Sequence, residues 1–367
     1  MGCGGSIPLR DPVEWLSEFG STPRVTVSEN VVDVLGTGTA GGKRNVVSWL
    51  PTSASTSDMT GLSSSATAAA PKALVLLCHG LHEHVYRHHC IALALAERGY
   101  AVWGMDHVGH GMSEGTPGLI SSYESLVQDW VSFAAYARSR PGMSSLPVLL
   151  YAHSMGTLIN FLALSRMEQA PVGAVFSGCA LHVGPDSGSP FGLKCLYPLA
   201  QSKSAVTLAR LMASLDPLGD AAPIVTEGLM HSTAEQDISR MDPRIYHKSI
   251  RNKTAYELLQ LTPLCLGTDG IAKFPPAMHI AFHHGADDNL TLPSSSQVAF
   301  DACPCNSKTL AFHNGAKHEI LHEAPEVSNA ILASMCDFFD SSLAAGGAGG
   351  GGGISNPVAS SPLTIAK

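Results

Sequence analysis

The chain lacks any apolar run of the roughly 18 residues that a bilayer-spanning helix needs. It also lacks a basic start followed by an apolar stretch, so no secretory signal is read. Basic residues are scarce. Lys and Arg number 22 against 30 Asp and Glu, a net charge of −8 that argues against a nucleic-acid partner. Charged residues of both signs make up only 14%, against 45% hydrophobic, which is the balance of a packed core. Paired cysteine spacing is missing too. The nine cysteines are scattered and odd in number. Cys78 and Cys179 fall within apolar runs and read as reduced, buried thiols of an intracellular protein. Cys303 and Cys305 are separated only by Pro304, which points to a loop rather than a disulfide or a metal pair.

What is present is an alternation of apolar runs and helical patterns. Arg24–Ser28 and Asn45–Leu50 alternate like strands around a glycine-rich turn, the pattern of an antiparallel hairpin or meander. The apolar runs 73–78, 100–105, 148–151, 173–178, 277–282 and 309–312 follow, most of them separated by helical patterns. Such an order predicts an α/β fold, a mostly parallel central sheet with helices on both faces. Between 180 and about 271 the alternation stops, and helix-like apolar clusters with frequent prolines take over. An insertion after a mid-sheet strand lies over the carboxyl edge, so a helical cap is expected there. The expected division is a leader at 1–23, a first core part at 24–180 with a flexible Ser/Thr/Ala-rich insertion at 52–70, a cap at 181–270, a second core part at 271–341, and a disordered Gly-rich tail at 342–367.

The chemistry is read from Ala152-His153-Ser154-Met155-Gly156. A strand pattern precedes Ser154, a helix pattern follows it, and small residues stand two positions to either side. This is the layout of a nucleophile elbow, which presents a serine at a helix N-terminus. A serine nucleophile needs a base, and the base needs an orienting carboxylate. Strand 277–282 is followed by His283-His284-Gly285-Ala286-Asp287-Asp288. Strand 309–312 is followed by His313, with His318 five residues on. The required types therefore occur in the order serine, aspartate, histidine, with Asp287 or Asp288 and His313 or His318 as candidates. An oxyanion hole would use the amides of Met155, at the helix N-terminus, and of Leu81, freed by the tight turn at Gly80. His79, His82, His84, His88 and His89 resemble a metal site by type. No carboxylate set completes a ligand sphere, so neither a metal nor any other cofactor is expected. Asp106 and His110 are expected to brace loops.

Three motifs carry a family resemblance: His79-Gly80-Leu81-His82-Glu83-His84, Asp106-His107-Val108-Gly109-His110-Gly111-Met112-Ser113, and Ala152-His153-Ser154-Met155-Gly156. With His318-Glu319-Ile320-Leu321, they resemble the monoacylglycerol lipase and lysophospholipase branch of the α/β-hydrolases, over about Arg24 to Phe339. The resemblance implies the α/β-hydrolase fold with a helical cap. It implies Ser154 as nucleophile, Asp288 rather than Asp287 as the acid, His318 rather than His313 as the base, and Leu81 and Met155 as oxyanion-hole amides. The departures from the family pattern are Ala152 for glycine and Thr157 for a small residue. The implied function is a serine hydrolase cleaving single-chain acyl esters, most simply monoacylglycerol, through an acyl-enzyme. Alternatives are a lysophospholipase, an acyl-protein thioesterase, a peptidase of the same fold, or a non-catalytic binding module.

Met1-Gly2-Cys3-Gly4-Gly5-Ser6 fits the acceptor pattern for N-myristoylation at Gly2. One such chain binds membranes only marginally, so a second signal is required. Basic residues are sparse here, and Cys3 is the expected palmitoylation site. This places the protein on the cytosolic face of a membrane.

Overall fold

The computed structural model describes residues 22, 24–33, 42–52, 70–184, 203–224 and 228–347. Strands β1 (Val25–Asp33) and β2 (Lys43–Pro51) pair antiparallel, as the alternation predicts. Then come β3 (Leu74–Cys78), helix α1 (His89–Glu97), β4 (Ala101–Met105), α2 (Tyr123–Arg138), β5 (Val148–His153), α3 (Met155–Ala163) and β6 (Gly173–Ser177). After the inserted region come β9 (His279–Gly285), α7 (Ser294–Ala302), β10 (Ser307–His313) and α8 (Pro325–Gly347). These strands form one sheet in the order β1-β2-β4-β3-β5-β6-β9-β10. β2 pairs antiparallel with β4, and every pairing from β4 to β10 is parallel.

The apolar runs of β3, β5 and β6 become strands buried on both faces, whereas β10 at the sheet edge is only partly covered. In β3, Leu74, Leu76 and Cys78 face a core shared with α2 and α3, while Val75 and Leu77 face a core shared with α1 and α8. β5 divides in the same way, with Val148, Leu150 and Ala152 on one side and Leu149 and Tyr151 on the other. α2 is opened by Ser122, whose side chain accepts from the Ser125 amide. It buries Leu126, Trp130, Phe133 and Ala137, one stripe at helical spacing.

The region between β6 and β9 holds α4 (Lys203–Leu215), β7 (Asp220–Ala222), α5 (Thr233–Met241), β8 (Ile250–Arg251) and α6 (Asn252–Cys265). β7 and β8 form a separate antiparallel pair. Among the described residues, no helix is long and apolar enough to cross a membrane.

One boundary is corrected. Residues 342–347 belong to α8 and not to a tail. Ser342 is fully buried, Leu343 packs against the core, and the following alanines favour helix, so the helix continues until glycines dominate. Most of the leader, the stretch 53–69 and residues beyond 347 lie outside the described residues, as do Gly2 and Cys3.

Candidate active site

Four strand ends converge at the carboxyl edge of the sheet. β5 ends at His153 and α3 begins at Met155, so Ser154 alone makes the turn. Its backbone is at φ 53° and ψ −122°, a sparsely populated conformation for a residue with a Cβ. Such strain persists only where neighbours over-determine it. Here the Ser154 amide donates to the Ser177 carbonyl at 2.9 Å, and the Ser154 carbonyl accepts from the Thr157 amide at 2.9 Å and the Thr157 hydroxyl at 2.7 Å. Thr157, a departure from the family pattern, is thus a brace of the elbow. Gly156 is required because a Cβ there would lie 2.4 Å from the Cys78 carbonyl oxygen and 2.8 Å from that of His79. Ala152 is accommodated: it is fully buried and pairs with Cys78 and Phe176 across the sheet.

The Ser154 hydroxyl lies 2.8 Å from His318 Nε2, and His318 Nδ1 lies 2.8 Å from Asp288 Oδ2. Asp288 is 1% exposed, and every contact it makes favours its ionised form. Oδ1 accepts from the Leu290 amide at 2.8 Å and the Thr291 amide at 3.0 Å. Oδ2 accepts from the Thr291 hydroxyl at 3.0 Å and faces His284 Nε2 at 3.0 Å. Burial pushes the Asp288 carboxyl up. The His318 charge and hydrogen bonds from His284 and His318 outweigh that and hold it well below the usual carboxylate range. Burial pulls the His318 imidazole down, but the charge and hydrogen bond of Asp288 leave it above its ordinary value. Asp287 and His313 stand elsewhere. Asp287 is half-exposed and pairs with His231 at 3.1 Å, and His313 stacks on His283.

Leu81 and Met155 line the same cavity as Ser154 and His318. Among the described residues, neither amide has a hydrogen-bond acceptor. The direction of the Leu81 amide is set by its neighbour. The His107 amide donates to His79 Nε2 at 2.9 Å, so the His79 proton sits on Nδ1 and is donated to the Gly80 carbonyl at 2.8 Å. In a trans peptide the N–H points opposite to the C=O, which turns the Leu81 amide away from His79. The Gly80 amide itself donates to the Glu83 carboxylate, which also takes His88 Nε2 at 3.0 Å.

Thr291 and His284 were not among the residues singled out from the sequence, and Thr157 was named only as a departure from the family pattern. The only available signals were a threonine three positions after Asp288 and the doubled histidine closing β9. The other histidines of the oxyanion turn are structural. Burial first, then neighbouring histidines, lowers His79 well below its ordinary value, and burial with His110 lowers His107 to about 3. Among the described residues, no group of three His, Cys, Asp or Glu side chains is placed to hold a metal ion. Asp106 is fully buried and accepts from the amides of Val85 and Met112 and from the Asn45 side chain, which is a loop brace.

The cavity has a volume of about 570 Å³. Two helices of the inserted region wall it with stripes of the same spacing: Ala205, Leu208, Ala209 and Met212 from α4, and Ala255, Leu258, Leu259 and Thr262 from α6. α4 is exposed on both sides, with Leu208 and Met212 of the stripe 47% and 40% exposed and Leu211 and Leu215 on the other side also exposed.

A family model described as serine aminopeptidase, S33, matches residues 69–325. The monoglyceride lipase of Rattus norvegicus is 26% identical over 264 residues, covering 71% of this chain and 80% of that protein. The monoglyceride lipase of Homo sapiens is 27% identical over 264 residues, with the same coverage of 71% and 80%. Among solved structures, a soluble variant of monoglyceride lipase from Saccharomyces cerevisiae superposes with a TM-score of 0.66 at 19% identity, covering 86% of this chain and 95% of that one. With an eight-stranded, mostly parallel sheet that sets a serine, a histidine and an aspartate at its carboxyl edge, the chain belongs to the serine aminopeptidase S33 family of α/β-hydrolases, on the monoglyceride lipase branch.

Proposed function

We propose that the protein is a carboxylic-ester hydrolase that cleaves monoacylglycerol to fatty acid and glycerol through an acyl-enzyme on Ser154. His318 takes the Ser154 proton as Oγ attacks the ester carbonyl, and Asp288 stabilises the imidazolium that forms. The amides of Leu81 and Met155 stabilise the oxyanion. His318 then protonates the departing glycerol oxygen. Water, deprotonated by His318, releases the fatty acid in a second tetrahedral step. The observation that carries the substrate class is the pair of apolar stripes beside Ser154. A buried acyl chain gains about 0.8 kcal/mol per CH₂, so such walls favour a single long chain over a peptide. Relatives named for monoglyceride hydrolysis support the head group.

Purified protein is to be profiled against monoacylglycerols, lysophospholipids, acyl thioesters and aminopeptidase substrates, with Ser154→Ala as control. Monoacylglycerols of long chain are expected to show the highest kcat/KM, and Ser154→Ala to abolish turnover. Preference for lysophospholipid or thioester would move the assignment to those alternatives.

The membrane address is proposed from the sequence alone. Gly2 and Cys3 as dual acylation sites would hold the enzyme where single-chain lipid esters partition. Gly2→Ala is expected to release the protein into the soluble fraction of a eukaryotic cell, and Cys3→Ser to weaken retention. An unmodified N-terminus by mass spectrometry would overturn this.

A further inference from the structure

His82 has an uncommon backbone. Its φ is +66°, and among the described residues only Ser154 shares a positive φ without being glycine. The left-handed region is open to glycine and disfavours residues with a Cβ. His82 is the third residue of the turn Gly80-Leu81-His82-Glu83, which closes when the Gly80 amide meets the Glu83 carboxylate. If His82 relaxed to negative φ, that closure would open and the Leu81 amide would lose its direction.

Two contacts from the inserted region hold His82 in place. The Tyr246 amide donates to the His82 carbonyl at 2.9 Å. The Tyr246 ring meets the His82 ring edge-on, with centroids 4.8 Å apart. Tyr246 is seated in turn against Gly118, where a Cβ would lie 2.4 Å from the ring. Nearby, Asp242 pairs with His84 at 2.8 Å, on the far side of Glu83. Leu81 is therefore flanked by two clamps. His79 fixes the peptide before it from within the core, and Tyr246 fixes the residue after it from the inserted region.

We propose that Tyr246 is a positioning residue for acyl transfer, holding His82 in the left-handed conformation so that the Leu81 amide stays aimed at the reacting carbonyl. This rests on the reading of Ser154 as the nucleophile. The role belongs to the His82 backbone and not to its imidazole. Burial, then the nearby His110, Arg251 and His247, lowers that ring to about 3, so it is neutral and carries no charge to a substrate.

The test compares His82→Gly with His82→Ala on p-nitrophenyl butyrate, a short soluble ester that needs little of the apolar wall. Both remove the ring, but only glycine accepts φ +66° freely. His82→Gly is expected to retain most of the kcat that His82→Ala loses. His82→Ala is expected to lose roughly tenfold in kcat with KM nearly unchanged. Tyr246→Ala should lose as much as His82→Ala, Tyr246→Phe should lose little, and adding His82→Gly to Tyr246→Ala should restore kcat. Equal effects of Gly and Ala at position 82 would overturn the proposal, as would a Tyr246→Ala loss that His82→Gly does not relieve. The position-82 pair adds no bulk, so equal effects there overturn the proposal even if Tyr246→Ala does not fold. A wild-type protein that neither hydrolyses the ester nor takes a fluorophosphonate on Ser154 would sink the functional reading instead. An active wild type whose variants are indifferent would sink only this inference.

Discussion

Asp287 and Asp288 are adjacent and chemically identical, and only their surroundings separate them. Asp288 is enclosed by five polar contacts and oriented to His318, whereas Asp287 shares a solvent-facing pair with His231. Asp288→Asn should therefore lower kcat/KM by roughly 10³- to 10⁴-fold, because it deprives His318 of its orienting charge. Asp287→Asn should change it less than about threefold, since an exposed pair contributes little. His318 must be neutral to accept the Ser154 proton, and Asp288 raises its pKa. The acid limb of the kcat/KM profile is thus expected above the ordinary histidine value of about 6.5, and to move down in Asp288→Asn. Ser154 was legible in the sequence because an elbow imposes small residues at fixed spacing. The choice between the two aspartates was not legible from composition or spacing and rested on the family resemblance. Thr291 and His284 stand three and four residues from Asp288, but which of the turn's polar groups meet its carboxylate is set by how the turn after β9 folds.

The elbow shows how one element constrains its neighbours. α3 approaches β3 so closely that Gly156 abuts two backbone carbonyls, which cannot rotate away as a side chain might. Gly156→Ala should cost about 1–3 kcal/mol in chemical denaturation and slow turnover by displacing Ser154. Full stability in this variant would mean that the close approach is relieved elsewhere. Strands were legible because burial on both faces writes continuous apolar runs. The helices of the inserted region were less so. Leu208 and Met212 read equally well as core, and only the fold shows that they border a cavity while staying 47% and 40% exposed. The end of α8 was misplaced because its last turns hold mostly small residues, Ser341, Ser342, Ala344 and Ala345 around Leu343, that resemble a linker in composition yet satisfy a helix.

Across the whole molecule, carboxylates tie the inserted region to the core. Asp242 pairs with His84 and Glu235 with His322. Burial pushes both carboxyls up, but their histidine partners leave them below the ordinary range, as they do Asp288. A depressed carboxyl adds stability that is present above its unfolded pKa of about 4 and is lost as pH falls further. Asp129 works in the opposite sense, since burial outweighs Arg44 and raises it. Glu83 and Asp340 are held low as well. His79, His82 and His107, kept neutral by burial, add a loss that begins below the unfolded histidine value. The melting temperature is therefore expected to fall as pH drops below about 6.5 and further below about 4, with a shallower low-pH fall in Asp242→Asn, as calorimetry would show. The place where the inserted region joins the sheet has a consequence for ancestry. β6 and β9 are parallel neighbours, so the chain departs beyond Ser177 and returns at His279, one strand spacing aside and about 13 Å back along the strands. The entropy of closing such an excursion rises by only about 0.6 kcal/mol for each doubling of its length. Descendants can lengthen, trim or swap this excursion while the sheet keeps its pairing, so diet can diverge while the hydrolytic machinery is inherited intact. The stretch from Asp242 to Tyr246 is the part that such exchanges must carry along, because it grips the turn that bears Leu81.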